Sequence, residues 1–259
     1  DGNTGKSWGT GRAFLTIAAA VSAASTGEAI EIGPGTYSEK VDASGVAALL
    51  IKGAGVQKTI ITTTSGPTLT VAAGSTVEHL SVIATVGNAA MDSSSADNVT
   101  VRWCYLSGIN DGMYALQADN FVIENCRVIS ATDAFQIGRG QNVLARNCLF
   151  ETIPGGIGSN TVVAQGATGV FENCIISVRY TGAGAHVIAV NAVDDSSNSL
   201  VCALHLINCQ IIATNSKAFN ATGVRFSGSA SLHGHVKMTG GGIYTSAGGT
   251  ALDLVNVSG

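Results

Sequence analysis

The chain has 259 residues, 46% hydrophobic and 12% charged, with 33 glycines and a net charge of −4; an ordinary soluble domain carries about a quarter charged residues and about 7% glycine. A chain this apolar can bury enough surface to order itself, which excludes disorder, while its longest apolar stretch, AFLTIAAAVSAA from Ala13, is too short and too hydroxylated for a membrane span. The 13 basic residues are scattered, so nucleic-acid binding lacks its electrostatic driving force.

The polar opening DGNTGKSWG carries no signal-peptide pattern, which suggests a processed or trimmed product. Thr16 is positioned as the N-cap of a helix with Ile17, Val21 and Ala24 on one face, ending before Gly27. Residues 1–27 are therefore expected to form an N-terminal segment and capping helix, closing a solenoid that runs over residues 28–259. The first strand is AIEIG, at Ile30 to Ile32. A repeated phrase then organises the chain: VTVRWCYL around Cys104, FVIENCRV around Cys126, VLARNCLF around Cys148, VFENCII around Cys174 and LHLINCQII around Cys209. Repeats at this period mark stacked supersecondary units. Apolar residues alternate on both sides of the Asn-Cys pair (Val99, Val101; Phe121, Ile123), as in strands, and MYALQA or AFQIG supplies a third strand. Degenerate copies place Gly53 and Leu80 upstream, and Thr239 downstream, at the Cys position. The fold class that follows is all-β, a single-stranded parallel β-helix of about eight or nine coils, on the order of 40 Å long at ~4.8 Å per coil. No lid is visible at the other end, where ALDLVNVSG reads as strand; the chain is expected to continue there or to dock on another subunit.

Stacking explains the residue choices. Asn125, Asn147, Asn173 and Asn208 form an expected ladder at a tight left-handed turn, which a short polar side chain tolerates. Asn98, Asn120 and Asn142 mark another corner. Cys104, Cys126, Cys148, Cys174 and Cys209 read as small buried residues rather than disulfide partners, because side chains on adjacent coils aim the same way. Cys202 is expected to face inward from a strand. His79 and Trp103 stand at Asn positions; Trp103 either ends the ladder or presents an aromatic face to a sugar ring.

The opening through GEAIEIGPGTYSEKV, followed by LLIKGAGVQKTII and the NVxIxNC-like coils, resembles the pectin-lyase-like right-handed β-helix superfamily. The resemblance implies a right-handed solenoid and covers most of the chain. It leaves function open, since the superfamily includes polysaccharide lyases, glycoside hydrolases, esterases, phage tailspikes and non-enzymatic coat or adhesion proteins. This opening is most similar to phage and secreted bacterial members.

In polysaccharide-active members the groove runs along one sheet, so matched positions on successive coils are where catalytic groups belong. Asp111 and Asp133, 22 residues apart, are expected one above the other at the entry to the third strand, with Glu151 nearby on the next coil. Two stacked carboxylates repel, so one binds a proton or a cation. The known catalytic sets are nevertheless incomplete. A polygalacturonase-like NTD, DD and GHG series would fall on Asn110-Asp111-Gly112, Thr132-Asp133 and Gly155-Gly156-Ile157, which lack one carboxylate and the histidine. A pectate-lyase-like calcium site would need an Asp where Ala115 and Ile137 stand. Asp194-Asp195 and the HGH at His233 to His235 are far apart in sequence. Arg102, Arg127, Arg146 and Arg179 are expected to face outward. The expectation is thus a non-enzymatic structural or binding protein, a bacteriophage virion component (tailspike-like, fibre or capsid-decorating) at the virion surface or outside the cell. Its expected partners are other virion or surface subunits, itself as a homo-oligomer, and polysaccharide, with no metal or cofactor and with calcium unsupported. The alternative is a secreted polysaccharide lyase or glycoside hydrolase with a groove around Asp111 and Asp133.

Overall fold

The computed structural model describes residues 5–8, 13–87, 89–153, 159–180, 186–215, 221–228, 234–246 and 249–255. Gly155, Gly156, Ile157, His233 and residues 256–259, considered above, lie outside them. Each coil contributes one strand to each of three sheets. The first coil supplies Ala29–Ile32, Gly35–Ser38 and Val41–Ala43, and nine coils stack with all their pairings parallel. The 22-residue period is exact in the middle of the array, where Thr100 pairs with Val122 and Val122 with Leu144. Two short strands extend the first sheet: Gly5–Trp8 runs antiparallel to Ala29–Ile32, and Ala13–Phe14 runs antiparallel to Gly5–Trp8; no repeat signal marks them.

Inward positions form apolar columns. On the first sheet Ile30, Ile51, Val77, Val101 and Ile123 pair in one file and are fully buried. At mid-length Phe121, Phe135, Phe150 and Phe171 fill the interior, with Phe135 and Phe150 stacked at 5.3 Å. Such pairs add about 0.5–1.5 kcal/mol each beyond the area they bury.

The N-terminal helix spans Ile17–Ala23, and the Thr16 hydroxyl accepts from the Ala19 N–H at 3.1 Å. The Glu39 carboxylate accepts from the Ile17 and Ala18 N–H groups at 3.0 and 2.9 Å, satisfying donors that a helix start leaves unpaired. Its buried face is Ile17, Ala20 and Val21. Ala24, expected on that face, packs against the core from the C-cap position, its N–H bonded to the Val21 carbonyl.

The corners explain the polar repeats. His79, Trp103, Asn125, Asn147, Asn173 and Asn208 all have φ between 51° and 58°, one at each turn from first to second sheet. The Asn147 amide donates to Asn125 at 3.4 Å, and Asn173 to Asn147 at 3.3 Å. Asn98, Asn120 and Asn142 are likewise left-handed, and their amides link at 3.2 Å. A third left-handed column, Ser95, Gln117 and Arg139, is hidden in the sequence because its members share no residue type. Beside the first column the five phrase cysteines are buried, and all six thiols are free. Each phrase thiol donates to the carbonyl two residues upstream, for example Cys126 to Glu124 at 3.2 Å. Cys202 is buried as well, and burial pushes its thiol up to about 12.

Two registers differ from the expected ones. Lys52 pairs with Glu78 and Arg102 with Glu78, so Gly53 falls level with His79, at the Asn position and not at the Cys position. Ile207 pairs with Thr239, which places Gly241 level with Cys209; a Cβ at Gly241 would come within 1.9 Å of the Cys209 carbonyl oxygen. The glycine is required by that approach.

The outward row preceding this corner reads Glu31, Lys52, Glu78, Arg102, Glu124, Arg146, Glu172 in direct register. Charges alternate in sign over seven coils. Glu78 meets Lys52 at 3.6 Å and Arg102 at 2.7 Å, and Arg146 meets Glu172 at 2.8 Å. Arg102 and Arg146 therefore belong to a surface ladder of structural ion pairs.

Candidate functional site

Asp111 and Asp133 open two adjacent strands of the third sheet, Asp111–Leu116 and Asp133–Gly138, and pair directly. The corner before Asp111 is tight: a Cβ at Gly108 would lie 1.7 Å from the Asp111 carbonyl oxygen, and one at Gly112 would lie 2.5 Å from that of Ala134. Only glycine lets the chain turn and settle this closely on the next coil.

Both carboxylates are largely buried, Asp111 at 5% and Asp133 at 8% exposure. The Gln136 side-chain amide donates to both, at 3.0 Å to Asp111 Oδ1 and 2.9 Å to Asp133 Oδ2. One NH2 group thus holds two oxygens within about 6 Å of each other, on the scale of paired carboxylates in retaining glycosidases, about 5–5.5 Å. Asn160, level with Asp133 one coil on, donates both its backbone N–H and its side-chain amide to Asp133 Oδ1 at 3.0 Å. The Tyr114 hydroxyl donates to Asp111 Oδ2.

Burial pushes both carboxyls up from the ordinary carboxylate range, and for Asp133 the neighbouring Asp111 charge adds to it. Tyr114 is pushed up as well, by burial first and then by Asp111. The two acids differ in their partners. Asp133 accepts only from N–H groups, which cannot reverse, whereas Asp111 faces a hydroxyl that can turn from donor to acceptor. Adjacent like charges oppose ionising both carboxyls at once, and the reversible hydroxyl gives Asp111 a partner in either protonation state.

Glu151 is not part of this cluster. It lies on the second sheet in register with Ile129 and Ser177, its carboxylate held by Arg127 at 3.2 Å and Arg179 at 3.6 Å. Alternation turns its side chain away from the core, and two cations occupy its oxygens. Ala115 and Ile137 point into the core. Asp194 and Asp195 fold an inserted loop: Asp194 accepts from the Cys202 N–H at 2.7 Å, and Asp195 binds Arg139 at 2.7 Å and Asn198 at 2.8 Å. Gly234 packs against Asp194, and His235 begins a first-sheet strand. Among the described residues no group of three or more His, Cys, Asp or Glu converges as a metal site.

Tyr114, Gln136 and Asn160 were not singled out from sequence. Tyr114 and Gln136 stand three residues after Asp111 and Asp133 in the aligned 22-residue copies, and Asn160 occupies the Asp column on the following coil. Both acidic strands end at a groove of about 350 Å³ lined by Ser94, Leu116, Gln117, Gly138, Arg139 and Gln165. A larger groove, about 700 Å³, lies on the second sheet between Val56 and Leu149.

Solved structures share this architecture. Pectin methylesterase from carrot superposes with a TM-score of 0.65 at 15% identity, over 96% of this chain and 86% of that one. Pectin methylesterase PemA from Erwinia chrysanthemi gives 0.56 at 16% identity, over 85% and 78%, and a pectin methylesterase in complex with a hexasaccharide gives 0.57 at 15% identity, over 83% and 77%. At these identities the likeness is one of fold. No curated protein matches the sequence. The family model described as "Right handed beta helix region" matches residues 47–198 and 90–258, and with three sheets of nine parallel strands stacked coil on coil, the chain belongs to the right-handed β-helix family.

Proposed function

We propose that the protein is a carbohydrate-active hydrolase whose reacting groups are Asp111 and Asp133. The observation that carries this reading is the pair of buried carboxylates stacked on adjacent coils and bridged by the Gln136 amide. Asp133, ionised, attacks the electrophilic carbon of an ester or glycosidic bond while Asp111 gives its proton to the leaving oxygen. Water then attacks the covalent intermediate, Asp111 takes the water's proton, and the Asp133 carboxylate is released. Tyr114 follows the proton on Asp111 by reversing its hydroxyl. At the opposite ends of the same two strands, on the order of 17 Å from the acids, a groove with amide, hydroxyl and guanidinium groups beside Leu116 offers a surface for a neighbouring stretch of a polysaccharide chain. The polysaccharide chemistry of the pectin methylesterases that share the fold supports this reading, and no observation favours the virion role expected from sequence.

The test is turnover of methyl-esterified polygalacturonan, polygalacturonan, xylan and a mixed-linkage glucan. Methanol and acid release reports ester cleavage, and reducing ends report glycoside cleavage. Activity should fall by about 10²-fold or more in Asp111→Asn and in Asp133→Asn. Turnover that survives both substitutions, or no turnover on any of the four, overturns the proposal.

A further inference from the structure

The corner between the first and second sheets contains an anomaly that hydrolysis at the third sheet does not use. Asn125, Asn147, Asn173 and Asn208 satisfy its left-handed backbone, yet the two preceding coils place His79 and Trp103 there with φ of 58° and 51°. Bulky side chains are disfavoured in that conformation, and such outliers concentrate where a site requires them. The two rings stack on each other at 4.8 Å, 10° from parallel, and Trp103 remains 39% exposed.

The same corner column borders the 700 Å³ groove, since Asn125 and Asn147 line it. Two residues after Trp103, Tyr105 forms part of the groove wall, with the Arg127 guanidinium 5.9 Å from its ring centre; Trp103 itself stands outside the lining residues, with the Arg102 guanidinium 4.8 Å from its ring centre. From Gln57 to Leu149 the groove crosses five coils, on the order of 20 Å along the solenoid axis. Its walls alternate aliphatic side chains with amides and hydroxyls, and among the described lining residues Arg127 alone carries a charge. No carboxylate lines it.

From this we propose that the second-sheet groove is a non-catalytic binding site for a polysaccharide chain, with Tyr105 as the sugar-facing aromatic of its wall and Trp103 at its rim. An extended polymer with apolar ring faces and hydroxyl edges matches a long groove of mixed walls and ring platforms. A peptide would bind by strand addition, but the strands under the groove are paired on both sides and offer no edge. The lack of a carboxylate in the walls separates this site from the acid pair. It anchors a chain without cutting it.

Affinity electrophoresis through gels containing polygalacturonan, methyl-esterified polygalacturonan, xylan or mixed-linkage glucan tests the site, using the full chain with Asp111→Asn and Asp133→Asn so that no probe is degraded. At least one polymer should retard that chain. Adding Trp103→Asn, which supplies the residue that the next four coils carry, should weaken retardation about tenfold without lowering Tm, and Tyr105→Ala should do the same. Retardation unchanged by both substitutions, or absent with all four polymers, overturns the inference. Because retardation is read in the doubly substituted chain, a failure of the hydrolase reading leaves this result intact, and the converse holds.

Discussion

Glu78 provides the sharpest test of how this solenoid carries charge. Its side chain is 6% exposed and lies between Lys52 below and Arg102 above, with Glu124 above Arg102. Partly exposed ion pairs contribute about 0.2–1 kcal/mol each, so Glu78, with two partners and little exposure, gains about 0.5–2 kcal/mol from them. Glu78→Arg turns both attractions into repulsions and should cost about 1–3 kcal/mol. Exchanging the pair, Glu78→Arg with Arg102→Glu, would restore stability if the pair acted alone. In an alternating column it cannot, because position 78 then repels Lys52 and position 102 repels Glu124. The exchanged protein should stay about 1–2 kcal/mol less stable than the parent. Urea, being uncharged, is the appropriate denaturant, and the deficit should shrink at 1 M salt, where screening acts over about 3 Å instead of about 10 Å at 0.1 M. An exchanged protein as stable as the parent at low salt would refute the column and reduce it to independent pairs.

Phe135 touches Phe121, Phe150 and Phe171 at the centre of the core, so Phe135→Ala should cost about 3–5 kcal/mol in urea unfolding, and a loss under about 1 kcal/mol would show that the ring stack is not packed as described. The six thiols should resist a charged thiol reagent in the native protein and all react in denaturant, since burial holds groups such as Cys126 well above the ordinary thiol range; fast native labelling contradicts the buried column. For Asp111 the sign follows from its raised carboxyl: the folded state favours the protonated form, so its contribution to stability is present at acid pH and is lost as pH rises through the folded value. Asp111→Asn should therefore raise Tm at neutral pH and leave it unchanged well below the carboxylate range, and a lower Tm at neutral pH would count against that burial penalty.

The fold was legible wherever one backbone conformation admits few residue types. A left-handed corner selects Asn, and a thiol that fits beneath it recurs as Cys, so the phrase could be counted directly. Where the corner holds Gly53 or the Gly240–Gly242 run, glycine accepts any neighbouring conformation, and the register slipped by one or two positions. The Ser95, Gln117 and Arg139 column stayed hidden because its three members share no residue type. The charge column was missed for another reason. Arg102 and Arg146 were expected to face outward, but their glutamate partners lie 22 to 26 residues away and meet them only once the coils are in register. Asp111 and Asp133 were visible as a 22-residue coincidence, but Tyr114 reaches Asp111 along one strand and Gln136 reaches it from the next coil, contacts that need the folded geometry.

That column changes the meaning of the acid pair. On the first sheet the chain tolerates charge by placing opposite signs in register, and even the buried Glu78 lies between two cations that remain partly in water. On the third sheet it places Asp over Asp, removes both from water, and surrounds them with Gln136, Tyr114 and Asn160. A neutral alternative is already in use, since asparagine columns serve two corners of the same molecule. Asn160 carries the amide form at the third-sheet position itself, one coil beyond Asp133. Stability alone would extend that amide downward through positions 133 and 111. Two adjacent buried carboxyls, both pushed up by burial, oppose that neutral pattern, and the proposed hydrolase reading accounts for their being there.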